Sequence, residues 1–266
     1  MKSIVILGDG MSDLGIDELN GKTPLEVAKK PYIDQIAREG RTGLLTTIPE
    51  GMPNGSAVAN LQVLGYDSRI TFNGRGTLEA ASMGVKLQPD DIAMRINLIT
   101  LDNGTIADHS AGHISNEEGA QLIGALYEEL KECLAGRRFR MYPGFSYRHL
   151  LVLEGDWGSP EVDLVPPHDN LGGAVADLWP KRLKNDKKAK DTEAFLIEMI
   201  ERSQEILAKH PVNLKRKSQG KPTADSLWPW SPGRRPEMKT LTERFNVRPA
   251  VISAVDLVKG LGVYAG

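Results

Sequence analysis

The loop Pro49-Glu50-Gly51-Met52-Pro53-Asn54-Gly55-Ser56 leads into Ala57 to Tyr66, a run of small and apolar residues with the composition of a helix. The free amides and positive dipole end of a first helical turn favour an anion. A serine at that point can hold or attack a phosphoryl group, or it can serve as an N-cap. A second candidate is Asp9, which stands between Gly8 and Gly10 directly after Ile4-Val5-Ile6-Leu7. Glycines on both sides let a metal or phosphate approach the backbone, so Asp9 is either a metal ligand or an aspartate that satisfies turn amides. Two look-alikes drop out. Gly21-Lys22-Thr23 follows Gly15 with one residue too many for a P-loop, and Thr23-Pro24-Leu25-Glu26 reads as a capping box with proline at the first helical position. Gly260 and Gly262 follow a helical segment, not a strand, so they do not make a dinucleotide fingerprint.

Elements that would carry these residues can be read from periodicity. Ile4 to Leu7 is the pattern of a strand buried on both faces of a parallel sheet, and Thr42 to Ile48 reads as the next strand, with a helical stretch at 32–38 between them. Asp9 and Ser56 would then follow two strands whose ends share an edge. From Tyr66 the texture changes. Asn73-Gly74-Arg75-Gly76 marks a turn, 77–83 a short helix, and Asp91 to Leu101 a strand ended by the hairpin signal Asp102-Asn103-Gly104. Ser115 with Glu118 caps an amphipathic helix bearing Leu122, Ile123, Leu126, Leu130 and Cys133 on one stripe. Strands follow at 139–142 and 147–153, and a helix at 192–210. The sequence reads as a solvated basic connection or exposed helix start at 181–190, a polar, basic stretch at 211–220, a rigid aromatic loop at 227–236, and a strand at 248–254.

The 266 residues carry 33 Lys and Arg against 35 Asp and Glu, a balance of −2 that gives no support to nucleic-acid or membrane-surface binding. A single cysteine excludes an internal disulfide framework and fits a reducing compartment. The four apolar residues Ile4 to Leu7 are too few for a signal peptide or a membrane span, so the expected location is cytoplasmic.

Several ordered motifs together resemble the archaeal-type cofactor-independent (2,3-bisphosphoglycerate-independent) phosphoglycerate mutases of the alkaline phosphatase superfamily. They are Val5-Ile6-Leu7-Gly8-Asp9-Gly10, Gly51-Met52-Pro53-Asn54-Gly55-Ser56-Ala57-Val58-Ala59-Asn60, Gly74-Arg75-Gly76-Thr77-Leu78-Glu79-Ala80, Ala107-Asp108-His109-Ser110-Ala111-Gly112-His113-Ile114, Tyr147-Arg148-His149 and Pro166-Pro167-His168-Asp169. The resemblance implies an α/β fold: an alkaline-phosphatase-like parallel-sheet domain, incomplete here, with an inserted α+β substrate domain. The corresponding boundaries are 1–70, 71–245 and a return segment at 246–266. It implies two divalent metal ions, manganese or magnesium, with Asp9 as the first metal-binding aspartate and Ser56 as a metal-touching nucleophile. Ser56 would take the phosphoryl group of 3-phosphoglycerate and return it to the 2-hydroxyl, with no bisphosphoglycerate required. The inserted domain would bind the substrate's carboxylate and phosphate. Arg148 is the first candidate because its fork meets such groups bidentately, Arg235 the second, and His113, just before a helix start, a possible donor. Arg95 is expected to be structural, and His168 and Asp169 either order a loop or join the site.

A two-metal centre needs several ligands per cation, and the phosphatase part offers Asp9 and Ser56 with no histidine. The chain is therefore expected to be a truncated form that lacks most metal ligands. The histidines at 109 and 113 also resemble a bacterial subgroup proposed to act on homoserine, which makes a homoserine kinase-like phosphotransferase the alternative. A non-catalytic remnant that still binds phosphoglycerate is the third reading.

Overall fold

The computed structural model describes residues 2–134 and 136–266. The chain divides into two compact units, Met1–Leu45 and Thr46–Gly266.

Among the described residues the first unit holds a 3-10 turn at Asp17–Leu19 and two α-helices, α1 (Pro24–Val27) and α2 (Pro31–Glu39). The capping box forms as expected: the Thr23 hydroxyl accepts the Glu26 amide at 3.2 Å, and the Glu26 carboxylate accepts the Thr23 amide at 2.7 Å. Neither expected strand is present. Ile4 to Leu7 takes part in no helix or ladder, with Ile4 85% and Ile6 88% exposed, and 42–48 pairs with nothing among the described residues. A strand is defined by a neighbour's ladder, and apolar pattern alone supplies none.

The second unit opens with three short helices, α3 (Ser56–Val63), α4 (Ser68–Thr71) and α5 (Arg75–Ser82), followed by the strands β1 (Ile92–Asp102) and β2 (Thr105–Asp108). Helix α6 (Asn116–Cys133) precedes β3 (Phe139–Tyr142), β4 (Arg148–Leu153), β5 (Val162–Asp163) and β6 (Lys181–Arg182). The chain then runs through α7 (Lys187–Lys209), α8 (Pro211–Ser218), β7 (Ser226–Arg234), α9 (Leu241–Phe245) and α10 (Asp256–Ala265). The fold is mixed α/β, and every strand pairing among the described residues is antiparallel. Strand β1 is the axis. It pairs with β4 along Ile92–Asn97, with β7 along Ile92–Ile99, and with β2 through a hairpin at Asn103-Gly104, while β3 adds to β4.

Alternation splits the sheet into two faces. Ile92, Met94, Ile96 and Leu98 pack with Leu122, Ile123, Leu126 and Leu130 of α6 and Phe195, Leu196 and Met199 of α7 in one core. Each such side chain contributes about 1.5–3 kcal/mol when fully buried. Ala93 packs instead with Ala80 of α5, and Arg95 and Asn97 share its face. Gly76 makes this approach possible: a Cβ there would lie 2.5 Å from Met94 Cα and 2.6 Å from Ala93 O. Helices α3, α5 and α10 share a further cluster through Leu61, Leu78 and Leu261.

Two further expectations change, and one polar stretch gains a structure. The stretch 227–236 is mostly strand β7, because its prolines lie on an edge strand whose outer side needs no ladder donor. The polar stretch after residue 210 is helix α8, opened by Pro211 with His210 as N-cap. The 248–254 segment is not a strand, and Gly260 and Gly262 lie within α10, where Gly260 fits against Leu78 O.

Candidate anion-binding site

Arginines from three elements converge on the charged face of the sheet. Arg75 stands at the first position of α5, behind Gly74, whose φ of 85° and closeness to Pro232 O suit only glycine. The Arg75 amide donates to Ser231 Oγ at 2.9 Å, and its guanidinium lies 5.2 Å from the Trp230 ring centroid. Arg95, in the middle of β1, lies 5.0 Å from the same ring. Arg148 faces Asn97 in the β1–β4 register and lies 5.3 Å over Tyr147. Such cation–π contacts hold a guanidinium without consuming its N–H donors.

One carboxylate enters this group. Glu79, one turn beyond Arg75, accepts from Arg95 Nη1 at 3.0 Å. Burial pushes its carboxyl up while Arg95, Arg75 and Arg148 pull it down, and the net direction is up. Burial pushes Arg95 down to about 10, with Glu79 acting against it and Arg75 and Arg148 with it, so Arg95 stays charged at neutral pH. Among the described residues Arg75 and Arg148 have no ion-pair partner, and the Nε atoms of Arg75, Arg95 and Arg148 are buried without a hydrogen bond. Positive charge thus exceeds negative, and since the Nη groups of Arg75 and Arg148 also take no acceptor among the described residues, the group suits an anionic ligand.

Imidazoles complete the surface. The rings of His109 and His113 meet Tyr147 edge to face at 5.5 and 6.1 Å, and His168 meets His109 at 6.0 Å and Trp230 at 5.2 Å. Trp230 is fixed by its Nε1 donating to Asn97 Oδ1 at 3.1 Å, and Asn97 in turn donates to His109 O at 3.0 Å. Burial lowers the His168 pKa, opposed by Asp169 and reinforced by His109, Arg75 and Arg95. His149, next to Arg148 in sequence, goes to the opposite face. It is 2% exposed, takes the Gly144 amide on Nδ1 at 3.1 Å, and is pushed down to about 3 by burial and then by Arg95.

The structure therefore brings His113 and Arg148 together around Tyr147. Arg235 is exposed just beyond β7, where it bears on the Tyr264 phenol. Ser56 is the first residue of α3, preceded by Gly55, and makes no side-chain cap; its side chain is exposed. Asp9 belongs to the first unit and sits in a turn with Gly10 at φ 72°. Among the described residues no three His, Cys, Asp or Glu side chains converge, so those present do not by themselves fit a bound divalent cation. Nor is any helix among them long and apolar enough to cross a membrane. Arg75, Arg95, Tyr147 and Trp230 were not legible as site residues. Arg95 did carry a signal, a charge inside an otherwise apolar strand, and Arg75 stands between two glycines.

Comparison with known proteins supplies the family. Residues 37–213 match the family model described as 2,3-bisphosphoglycerate-independent phosphoglycerate mutase. A protein of that name from Methanosarcina acetivorans is 49% identical over 266 residues, covering 100% of this chain and 64% of the relative. The chain thus spans less than two thirds of that relative's length. A solved protein from Pyrococcus horikoshii superposes with a TM-score of 0.73 at 30% identity, over 97% of this chain and 58% of that one. The cofactor-independent phosphoglycerate mutase of Thermoplasma acidophilum superposes with a TM-score of 0.60 at 26% identity, over 96% of this chain and 65% of that one.

Proposed function

Because the chain belongs to the 2,3-bisphosphoglycerate-independent phosphoglycerate mutase family, we propose that it serves the interconversion of 3-phosphoglycerate and 2-phosphoglycerate, without bisphosphoglycerate, in the cytoplasm. The observation that carries this reading is the group of Arg75, Arg95 and Arg148 around the single ion-paired carboxylate of Glu79. A phosphoglycerate carries a carboxylate and a phosphate, and three guanidiniums can engage both at once. In this reading Arg148 and Arg75 take the two anionic groups, Arg95 stays tethered by Glu79, and His109, His113 and His168 donate to remaining oxygens. Exposed Arg235 is assigned the role of an outer contact for the approaching anion.

Ser56 is the proposed phosphoryl acceptor. Its Oγ forms a bond to phosphorus as the bond to the 3-oxygen of glycerate breaks, and the serine proton ends on that oxygen. The reverse steps at the 2-hydroxyl give 2-phosphoglycerate and restore the serine. The amides of the first turn of α3 would stabilise the anion held there. Two divalent cations, manganese or magnesium, belong to the reading as the resemblance implies them, with Asp9 and Ser56 as the residues offered. Where such ions bind, they would lower the pKa of the nucleophile and neutralise phosphoryl charge. The division at 1–70, 71–245 and 246–266, with an alkaline-phosphatase-like parallel sheet around an inserted domain, also belongs to this proposal.

The test is a coupled enolase assay on 3-phosphoglycerate with manganese and without nucleotide, followed by peptide mass spectrometry for phosphorylated Ser56. Turnover with label on Ser56, both lost in Ser56→Ala, supports the reading. Label appearing only with ATP, and phosphohomoserine as product, would replace it with the homoserine phosphotransferase.

A further inference from the structure

Ala111, Gly112 and His113 have φ values of 48°, 63° and 50°, so three consecutive residues form a left-handed turn, closed by the Ile114 amide donating to Ser110 O at 3.3 Å. A non-glycine residue in this region costs roughly 1–2 kcal/mol, and such strain persists only where the surroundings over-determine it. The turn is over-determined here from two sides. On one side the Asp108 carboxylate accepts the Ser110 amide at 2.8 Å, the Ser110 hydroxyl at 2.7 Å and the Gly112 amide at 2.6 Å. Burial pushes this carboxyl up, but the donors from Ser110 and Gly112 outweigh it and hold the group below its ordinary range. Ser110 Oγ in turn accepts the His113 amide at 3.1 Å.

On the other side stands Arg216 of α8, only 4% exposed. Its Nη2 donates to Ala111 O at 2.7 Å, its Nε to Pro222 O at 2.8 Å, and its Nη1 to Glu118 Oε2 at 2.6 Å. One planar fork therefore joins the turn, the first turn of α6 and the loop after α8. Pro222 closes the remaining space, since a Cβ on Gly112 would meet its ring at 2.8 Å. A lysine could not replace this fork, because a single ammonium lacks three donors in fixed directions.

Nothing in the anion-binding role of Arg75, Arg95 and Arg148 uses Arg216, yet the turn it clamps ends on His113 and follows closely on His109, and both imidazoles meet the Tyr147 ring edge to face. We propose that Arg216, with Asp108, is a positioning residue that holds the left-handed turn so that the His113 imidazole reaches the phosphoglycerate site. This rests on the reading of that site given above.

The test is a double-mutant cycle on the full 266-residue chain, with 3-phosphoglycerate binding measured by calorimetry and the imidazole signals by NMR. Arg216→Lys keeps the charge and loses the fork. His113→Asn removes the imidazole while tolerating positive φ. Each single variant should bind roughly tenfold more weakly, the size expected for one charged hydrogen bond, and the double variant should bind no more weakly than Arg216→Lys, because the first change already removes the second residue's contribution. The His113 signals should move in Arg216→Lys while those of His168 stay. Affinity within twofold of the parent, or losses that multiply in the double variant, would overturn the proposal. If Arg216→Lys does not fold, Glu118→Gln takes its place in the cycle and the same two outcomes decide. If the parent chain fails to bind 3-phosphoglycerate, the phosphoglycerate reading falls. The clamp is then judged by the His113 signals alone, which must move in the variant for it to stand.

Discussion

The two faces of the sheet around β1 are made from alternate residues of the same strands, but they are held together differently. On the face toward α6 and α7, Ile92, Met94, Ile96 and Leu98 lie in an apolar cluster, and the His149 imidazole, buried opposite Ile96, is kept neutral. On the other face Arg95 and Arg148 are held by one carboxylate and the rings of Trp230, Tyr147 and Phe145, with buried donors left over. Stability needs the first arrangement and gains little from the second, since buried ion pairs are often no better than apolar replacements. On the proposed reading the charged face is explained by the anion it would bind, and the neighbours Arg148 and His149 mark the division within two residues.

The largest expected effect separates those two roles. Arg95→Met leaves Glu79 buried without its partner and should destabilise the chain by about 3–5 kcal/mol in urea unfolding. Adding Glu79→Leu should return most of that stability while 3-phosphoglycerate binding stays lost. If the double variant binds normally, the charged face is structural after all. Next in size is Gly76→Ala, whose Cβ would press on the β1 backbone at 2.5 Å and push α5 outward. A loss of about 1–3 kcal/mol in stability is expected, with weaker binding because Arg75 and Glu79 travel with the helix.

On the apolar face, acid should act through His149. Its folded pKa of about 3 lies below the unfolded value near 6.5, so the folded state binds fewer protons across that window. Stability is full above about pH 6.5 and falls with decreasing pH by up to about 1.4 kcal/mol per unit. His149→Gln should flatten that slope, and an unchanged slope would place the acid sensitivity elsewhere. The smallest effect belongs to His168, whose pKa is lowered by burial and by the neighbouring cations, with Asp169 opposing. A bound anion favours the protonated ring, so binding should tighten as pH falls below the ordinary histidine range, and His168→Gln should remove that part of the dependence. Calorimetry in two buffers of different ionisation enthalpy would detect the proton taken up.

Much of the apolar face was legible beforehand. The run from Ile92, the Ser115 cap of α6 and the periodicity of α7 are local signals, and local signals survive folding. The charged face was legible only at Arg148, because Arg75, Arg95 and Trp230 join it through the pairing of β1 with β4 and β7, which no sequence spacing encodes. Proline misdirected the reading of β7, where an edge position tolerates it. The runs at 4–7, 42–48 and 248–254 have strand composition, yet none finds a ladder partner among the described residues. His113 and Arg148 were named from family resemblance and do come together, whereas the clamp on the His113 turn depends on Arg216, about a hundred residues further along the chain.

The most direct test of the charged face is a titration of the 266-residue chain with 3-phosphoglycerate by calorimetry, run beside the Arg75→Met, Arg148→Met double variant. The account predicts saturable binding at one site that weakens with added salt and is abolished in the variant, with unfolding of the variant otherwise close to that of the parent. Equal affinity in parent and variant, or no binding to the parent at all, would contradict it.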